Sequence, residues 1–150
     1  MRRFVIFLST ILISVSSFCM DSLSVFYRIR LDRDIDKAAE RIISYGLEKA
    51  VEADADYIIL DIDTYGGAVN SADSIRTAIL RFEKPVIAYV NVQAASAGAL
   101  ICIACDRIYM KTGSSIGAAT VVNQTGDVMP DKYQSFMRGM MRSTAQATGR

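Results

Sequence analysis

Residues 94–105, Ala-Ala-Ser-Ala-Gly-Ala-Leu-Ile-Cys-Ile-Ala-Cys, decide how the fold reads. The apolar, β-rich run Pro85–Val92 leads into them, and an apolar helical pattern begins at Ser96. A strand that turns directly into a helix produces this pattern. Two readings of Ser96 follow. It is either the N-cap of a core helix or a hydroxyl placed where free N–H groups and the positive end of a helix dipole point. The second place suits a nucleophile whose product is an oxyanion, and small neighbours let a substrate backbone approach it. The stretch alone favours the cap, and the rest of the chain reverses that preference.

Upstream, Ser24–Leu31 alternates apolar with polar residues and reads as a first strand. A helix from about Ile35 to Ala53 follows, with Ile35, Ala38, Ala39, Ile42, Ile43, Leu47, Ala50 and Val51 on one stripe. Tyr57–Ile62 is a β-branched run resembling a buried parallel strand, and it ends at Asp63-Thr64-Tyr65-Gly66-Gly67. Paired glycines there let backbone N–H groups face a ligand, or they only make a tight turn. Asn70–Phe82 reads as a second helix, with Ala72, Ile75, Ala78, Ile79 and Phe82 inward.

Downstream, Ser96–Cys105 is the third helix and Arg107–Met110 a short fourth strand. Thr112–Asp131 has no sustained periodicity and reads as a long loop. Tyr133–Ala147 is helical again, with Phe136, Met140 and Met141 inward. The order implies an α/β fold with a mostly parallel sheet flanked by helices and right-handed crossovers. Ligands on such sheets gather at the carboxyl ends of strands. Both Gly66-Gly67 and Ser96 fall there, after adjacent units, which lifts Ser96 above a simple cap.

The 150 residues suit about one domain, and 51% hydrophobic content allows a buried core. A net charge of +1 gives no reason to expect a nucleic-acid partner. The chain has no histidine, which excludes Ser-His-Asp and Cys-His catalysis within it and any histidine-ligated metal. No cofactor is expected. A serine nucleophile would need another base, and lysine is the main candidate. Cys102 and Cys105 are spaced as C-x-x-C, but they lie inside an apolar helix with no second pair. They read as buried, inert thiols.

Arg2 and Arg3 precede the apolar run Phe4–Val15, and small residues follow at Ser14, Ser16 and Ser17. This describes a secretory signal peptide, since a membrane span needs about 20 apolar residues. Residues 1–20 are therefore assigned to a signal peptide or N-terminal anchor, with a cleavage site near Cys19. Phe18 argues against a lipoprotein anchor on that cysteine. Residues 21–150 would form the functional domain, exported to the periplasmic or extracytoplasmic face of the membrane, and the uncapped pattern at Arg150 suggests the front part of a longer product.

Three segments carry a family resemblance: Tyr57–Val69 (YIILDIDTYGGAV), Lys84–Asp106 (KPVIAYVNVQAASAGALICIACD) and Gly113–Ala118 (GSSIGA). They resemble the NfeD-type membrane-associated serine proteases, of the Clp-protease/signal-peptide-peptidase class. Residues 132–150 (KYQSFMRGMMRSTAQATGR) resemble the segment that opens on that family's catalytic lysine. The resemblance implies a ClpP/crotonase-like fold and a Ser-Lys dyad. Ser96 would be the nucleophile and Lys132 the general base, with the N–H groups of Gly67 and Ala97 as oxyanion hole. It further implies hydrolysis within hydrophobic stretches of peptides or membrane-associated proteins, with stomatin-like partners, membrane association and a homo-oligomer.

Two departures stand out. Tyr65 replaces the family's usual proline, and the loop from Ala119 to Asp131 is short. An exposed lysine has a pKa near 10.4 and holds its proton at neutral pH; desolvation lowers it toward the value a general base needs. Met129, Tyr133 and Phe136 are candidate walls for such a pocket, and Gly66, Ser114 and Ser115 form the supporting loops, a serine hydroxyl orienting the amine. Lys111, at the end of the fourth strand, is the second candidate base. Two other functions compete: a crotonase-like acyl-CoA enzyme, disfavoured by the export signal, and a non-catalytic membrane scaffold on the same fold.

Overall fold

The computed structural model describes residues 23–123 and 125–150. The expected signal peptide or anchor, residues 1–20, lies outside them. The elements follow in the order β1 (Phe26–Leu31), α1 (Lys37–Glu52), β2 (Tyr57–Thr64), α2 (Val69–Leu80), β3 (Val86–Ala95), α3 (Ala97–Ala104), β4 (Arg107–Met110), β5 (Ser115–Gly117) and α4 (Asp131–Ala147). The strands are parallel in the order β1-β2-β3-β4, and β5 pairs with the far end of β3.

Each crossover moves one strand in the same direction, and right-handed crossovers of that kind place their helices on one face. The strand residues alternate accordingly. Ile29 and Leu31, Ile58, Leu60 and Ile62, and Val86, Ala88 and Val90 are buried in one core with Ala39, Ile43, Ile75, Ile79, Leu100 and Ile101 of the helices. The other face carries Phe26, Arg28, Tyr57, Tyr89 and Tyr109, and Phe26 stacks on Tyr57 with ring centroids 5.2 Å apart. Thus β2, which reads as buried in sequence, is covered on one side only. Its inward Ile58, Leu60 and Ile62 and its outward Ile59 are equally apolar, so periodicity hides the asymmetry.

Within α1, Ala39, Ile43, Gly46, Leu47 and Ala50 are buried, while Ile42 and Val51 flank the stripe and are exposed. Asp36 caps the helix by accepting the Ala39 N–H at 2.8 Å. The 112–131 segment is not featureless: it holds β5 and a bridge between Val122 and Val128. Among the described residues no helix is long and apolar enough to cross a membrane.

Candidate active site

Three strand ends build the site. The β2–β3 register jumps between Ile62–Val90 and Thr64–Ala94, so β3 carries two extra residues after Val90 before it pairs with β2 again. Its last residues, Gln93–Ala95, then pair with Ser115–Gly117 of β5. At the end of β2, the buried Thr64 hydroxyl donates to the Arg33 carbonyl at 2.7 Å and accepts the Gly66 N–H at 3.1 Å. The chain leaves β2 through Gly66 (φ 114°) and Gly67 (φ 150°), where side chains are rarely tolerated. Gly66 accepts the Ile35 N–H at 2.8 Å, and Ala68 donates to the Ile35 carbonyl at 2.7 Å. This backbone lies directly on the serine: a Cβ on Gly66 would come within 2.7 Å of the Ser96 Cβ.

Ser96 sits at φ 53°, ψ −115°, and its side chain makes no capping bond to α3. The N-cap reading therefore gives way. A non-glycine residue in that region is strained by about 1–3 kcal/mol and persists only where its surroundings hold it. Here its N–H donates to the Gly117 carbonyl at 2.7 Å and its carbonyl accepts the Ala99 N–H at 3.0 Å. A serine on a strained strand-to-helix turn exposes its hydroxyl. Gly98 completes the fit, because a Cβ there would strike the Thr64 methyl at 2.6 Å. Ser96 opens into a cleft of about 880 Å³ together with Asp34, Tyr65, Gly67, Ala118 and Val122. Among the described residues, neither the Gly67 nor the Ala97 N–H donates to a backbone carbonyl outside the regular elements.

Lys132 lies in the first turn of α4, exposed, with Nζ 4.9 Å from the Tyr133 ring centroid. It borders a second cleft, of about 440 Å³, walled by Val69, Val121, Tyr133, Phe136 and Met137. The two clefts are neighbours. Ala68 lines one and Val69 the other; Val122 lines one and Val121 the other. Among the described residues no hydrogen bond joins Ser96 to Lys132.

Some side chains lie away from the two clefts or face them differently than the sequence suggests. Phe136 is 61% exposed at the second cleft rather than in the core; Met137, Met140 and Thr144 form the buried face of α4. Met129 does not wall that cleft. Ser114 and Ser115 line neither cleft: β5 pairing sets Ser115 opposite Gln93, and the Ser114 hydroxyl is buried without a hydrogen-bond partner. Lys111 also lies elsewhere, its Nζ 3.4 Å from the Asn91 side-chain oxygen.

Cys102 and Cys105 are free and buried. Burial pushes the Cys102 thiol up to about 12 and raises Cys105 well above its ordinary 9.0. Among the described residues no group of three or more metal-ligating side chains is gathered. Sequence reasoning missed that Asp34 lines the serine cleft, and it missed the bond by which Thr64 holds the Arg33 carbonyl.

A parallel sheet with helices on one face and a strained serine against a diglycine strand exit defines the ClpP-like α/β class. The chain belongs to the NfeD1b family: residues 25–150 match its N-terminal domain. It is 40% identical over 124 residues to the membrane protein NfeD1b of Bacillus subtilis, covering 83% of this chain and 28% of that protein. It is 34% identical over 109 residues to the membrane-bound protease PH1510 of Pyrococcus horikoshii, covering 67% of this chain and 25% of the relative. The chain thus spans about a quarter of the length of the curated relatives it matches.

Among solved structures, a lysine-to-alanine mutant of the 1510-N membrane-bound stomatin-specific protease, in complex with a substrate peptide, is similar at TM-score 0.79 and 28% identity. That match covers 85% of this chain and 62% of the other. A ClpP1 mutant from Listeria monocytogenes shares the fold at TM-score 0.62 and 20% identity, covering 83% of this chain and 73% of the other.

Proposed function

We propose that this chain is the serine endopeptidase domain of a membrane-associated protease of Ser-Lys type. Ser96 Oγ attacks the peptide carbonyl, and Lys132 takes the hydroxyl proton and passes it to the leaving amine. Water then attacks the acyl-enzyme with Lys132 again as base. The N–H groups of Gly67 and Ala97 receive the oxyanion. Gly66 supports them by letting the β2 exit lie against Ser96.

The strained, uncapped Ser96 at the mouth of a cleft beside Gly67 is the observation that carries this reading. The apolar walls of the Lys132 cleft support it, because a lysine serves as base only when desolvated. Catalysis requires the amine, which rests over Tyr133, to turn toward the Ser96 cleft. Substrates on this reading are hydrophobic segments of peptides or membrane-associated proteins, with a stomatin-like protein as partner, since a relative is described as stomatin-specific. Action on the extracytoplasmic side as a homo-oligomer completes the proposal.

Cleavage of a hydrophobic peptide by five variants tests it. Ser96→Ala, Lys132→Ala and Lys132→Arg should each lower the rate by about 10⁴-fold or more, and the Ser96/Lys132 double alanine variant should be no worse, because residues acting as one unit are non-additive. Arginine fails because it stays protonated. Lys111→Ala should keep most activity. Full activity in Lys132→Ala would remove the assigned base; full activity in Ser96→Ala would remove the serine-peptidase reading, and a wild type that does not cleave would leave the scaffold.

A further inference from the structure

Gln134 stands two residues beyond Lys132 on α4, and its amide is fully engaged with backbone rather than with solvent. Its Oε1 accepts the Val121 N–H at 3.0 Å, and its Nε2 donates to the Val121 carbonyl at 2.7 Å and to the Met129 carbonyl at 3.1 Å. The Met129 N–H also donates to the Val121 carbonyl, at 3.0 Å. Val121 and Met129 are the two feet of a small lobe. Its middle is closed by the Val122–Val128 bridge, and its tip by the Asn123 side chain, which accepts the Thr125 and Asp127 N–H groups at 2.9 Å each. One side chain therefore grips both feet of the lobe from the turn that carries Lys132.

The lobe separates the two clefts. Val121 faces the Lys132 cleft, while Val122 and Asn123 face the Ser96 cleft. The Gln134 clamp therefore ties the turn that carries the base to the segment that walls the nucleophile's cleft.

We infer that Gln134 is a positioning residue for the Ser-Lys reaction, acting through the 121–129 lobe. The inference rests on the peptidase reading above. Effective molarity is lost steeply with small errors in placement, and a displacement of about 1 Å costs about 10²-fold in rate. Losing the clamp should appear chiefly in kcat, because of the residues lining the Ser96 cleft only Val122 and Asn123 belong to the lobe, so most substrate contacts, and with them KM, change little. Glutamate at this position has the same shape and still accepts the Val121 N–H, but it turns a carboxylate on two carbonyl oxygens. It should break the clamp as alanine does.

The experiment compares kcat and KM for a hydrophobic peptide in the wild type, Ser96→Ala, Gln134→Ala, Gln134→Glu and Arg138→Gln, with amide exchange at Val121. Arg138→Gln is the control, because it removes an exposed α4 ion pair to Asp131 without touching the lobe. Both Gln134 variants should lower kcat by about 10²-fold with KM within about twofold, and Val121 exchange should accelerate in Gln134→Ala, which removes the acceptor of its N–H. The control should behave as wild type. Wild-type kcat in Gln134→Ala alongside a dead Ser96→Ala, unchanged Val121 exchange, or an equal loss in the Arg138 control would overturn this inference and spare the peptidase reading. Cleavage that survives Ser96→Ala would overturn both.

Discussion

Ser96 and Gly66 depend on each other. The serine holds a left-handed conformation that side chains avoid, and the glycine lets the neighbouring strand exit lie against its Cβ. Gly66→Ala meets two penalties at once: a φ of 114° and a contact of 2.7 Å with the Ser96 Cβ. We expect it to destabilise the fold by about 1–3 kcal/mol and to abolish labelling of Ser96 by a fluorophosphonate even where the protein remains folded. Thermal unfolding and probe labelling check the two effects separately, and a folded variant that labels like wild type would contradict the coupling. Ser96 was legible in sequence because small residues surround it at a strand-to-helix junction. Thr64 and Gln134 were not, because both act on backbone groups far away in the chain: Thr64 on Arg33, Gln134 on Val121. No spacing or periodicity records such partners. Tyr65 was legible as a departure, and it stands 77% exposed at the serine cleft.

At the scale of elements, α3 is short, apolar on all sides and buried at seven positions from Ala97 to Ala104, Ile103 alone being less covered. Its cysteines share that burial, so both stay protonated where exposed thiols ionise. The folded state keeps the Cys102 proton up to about pH 12, against an ordinary value of 9.0. The contribution of the Cys102 thiol to stability is therefore complete below pH 9.0 and is lost as pH rises from there toward about 12. Iodoacetamide at pH 8.5 should leave Cys102 and Cys105 unmodified in the native protein and label both once it is unfolded, as peptide mass mapping would read. Native labelling would mean that α3 opens or that the C-x-x-C pair is reactive. The helices and first three strands were legible because their stripes and apolar runs are long. The missed element, β5, has three residues, Ser115, Ile116 and Gly117, too few for alternation to register. Strand pairing to Gln93–Ala95, a long-range event, creates it. Likewise β2 and β3 run past their apolar stretches to Thr64 and Ala95, because hydrogen bonds rather than hydrophobicity carry their last residues.

Across the whole molecule, α1 and α3 rest on the sheet, α2 packs against both of them, and α4 docks chiefly on α3. The element bearing the proposed base is thus one layer removed from the sheet that holds the proposed nucleophile. Beyond the Gln134 clamp near its start, it is attached at two further places. Met137, Met140 and Thr144 are buried, and the Thr144 hydroxyl lies 3.4 Å from Arg76 Nη1 of α2. At the far end, the Thr148 hydroxyl donates to the Ile103 carbonyl at 3.0 Å, and the Arg150 guanidinium donates to the carbonyls of Ile103, Cys105 and Asp106 at 3.2, 2.9 and 3.0 Å. Those carbonyls belong to the end of α3 and the turn into β4, where helix carbonyls lack intrahelical partners. Elements held by few contacts open at lower free energy than the core, so amides in the middle of α4 should exchange faster than those of β2 and β3. Arg150→Ala removes charge-assisted bonds at an exposed site and should cost about 1–2 kcal/mol, a few degrees in melting temperature. The loss should be local: exchange should accelerate through α4, while the β2 and β3 amides keep their wild-type ranking above it. Hydrogen exchange read by mass spectrometry on wild type and variant decides the matter. Equal protection of α4 and β3 in the wild type would show that the helix is part of the same cooperative unit as the sheet, and a uniform loss across both in Arg150→Ala would show the same.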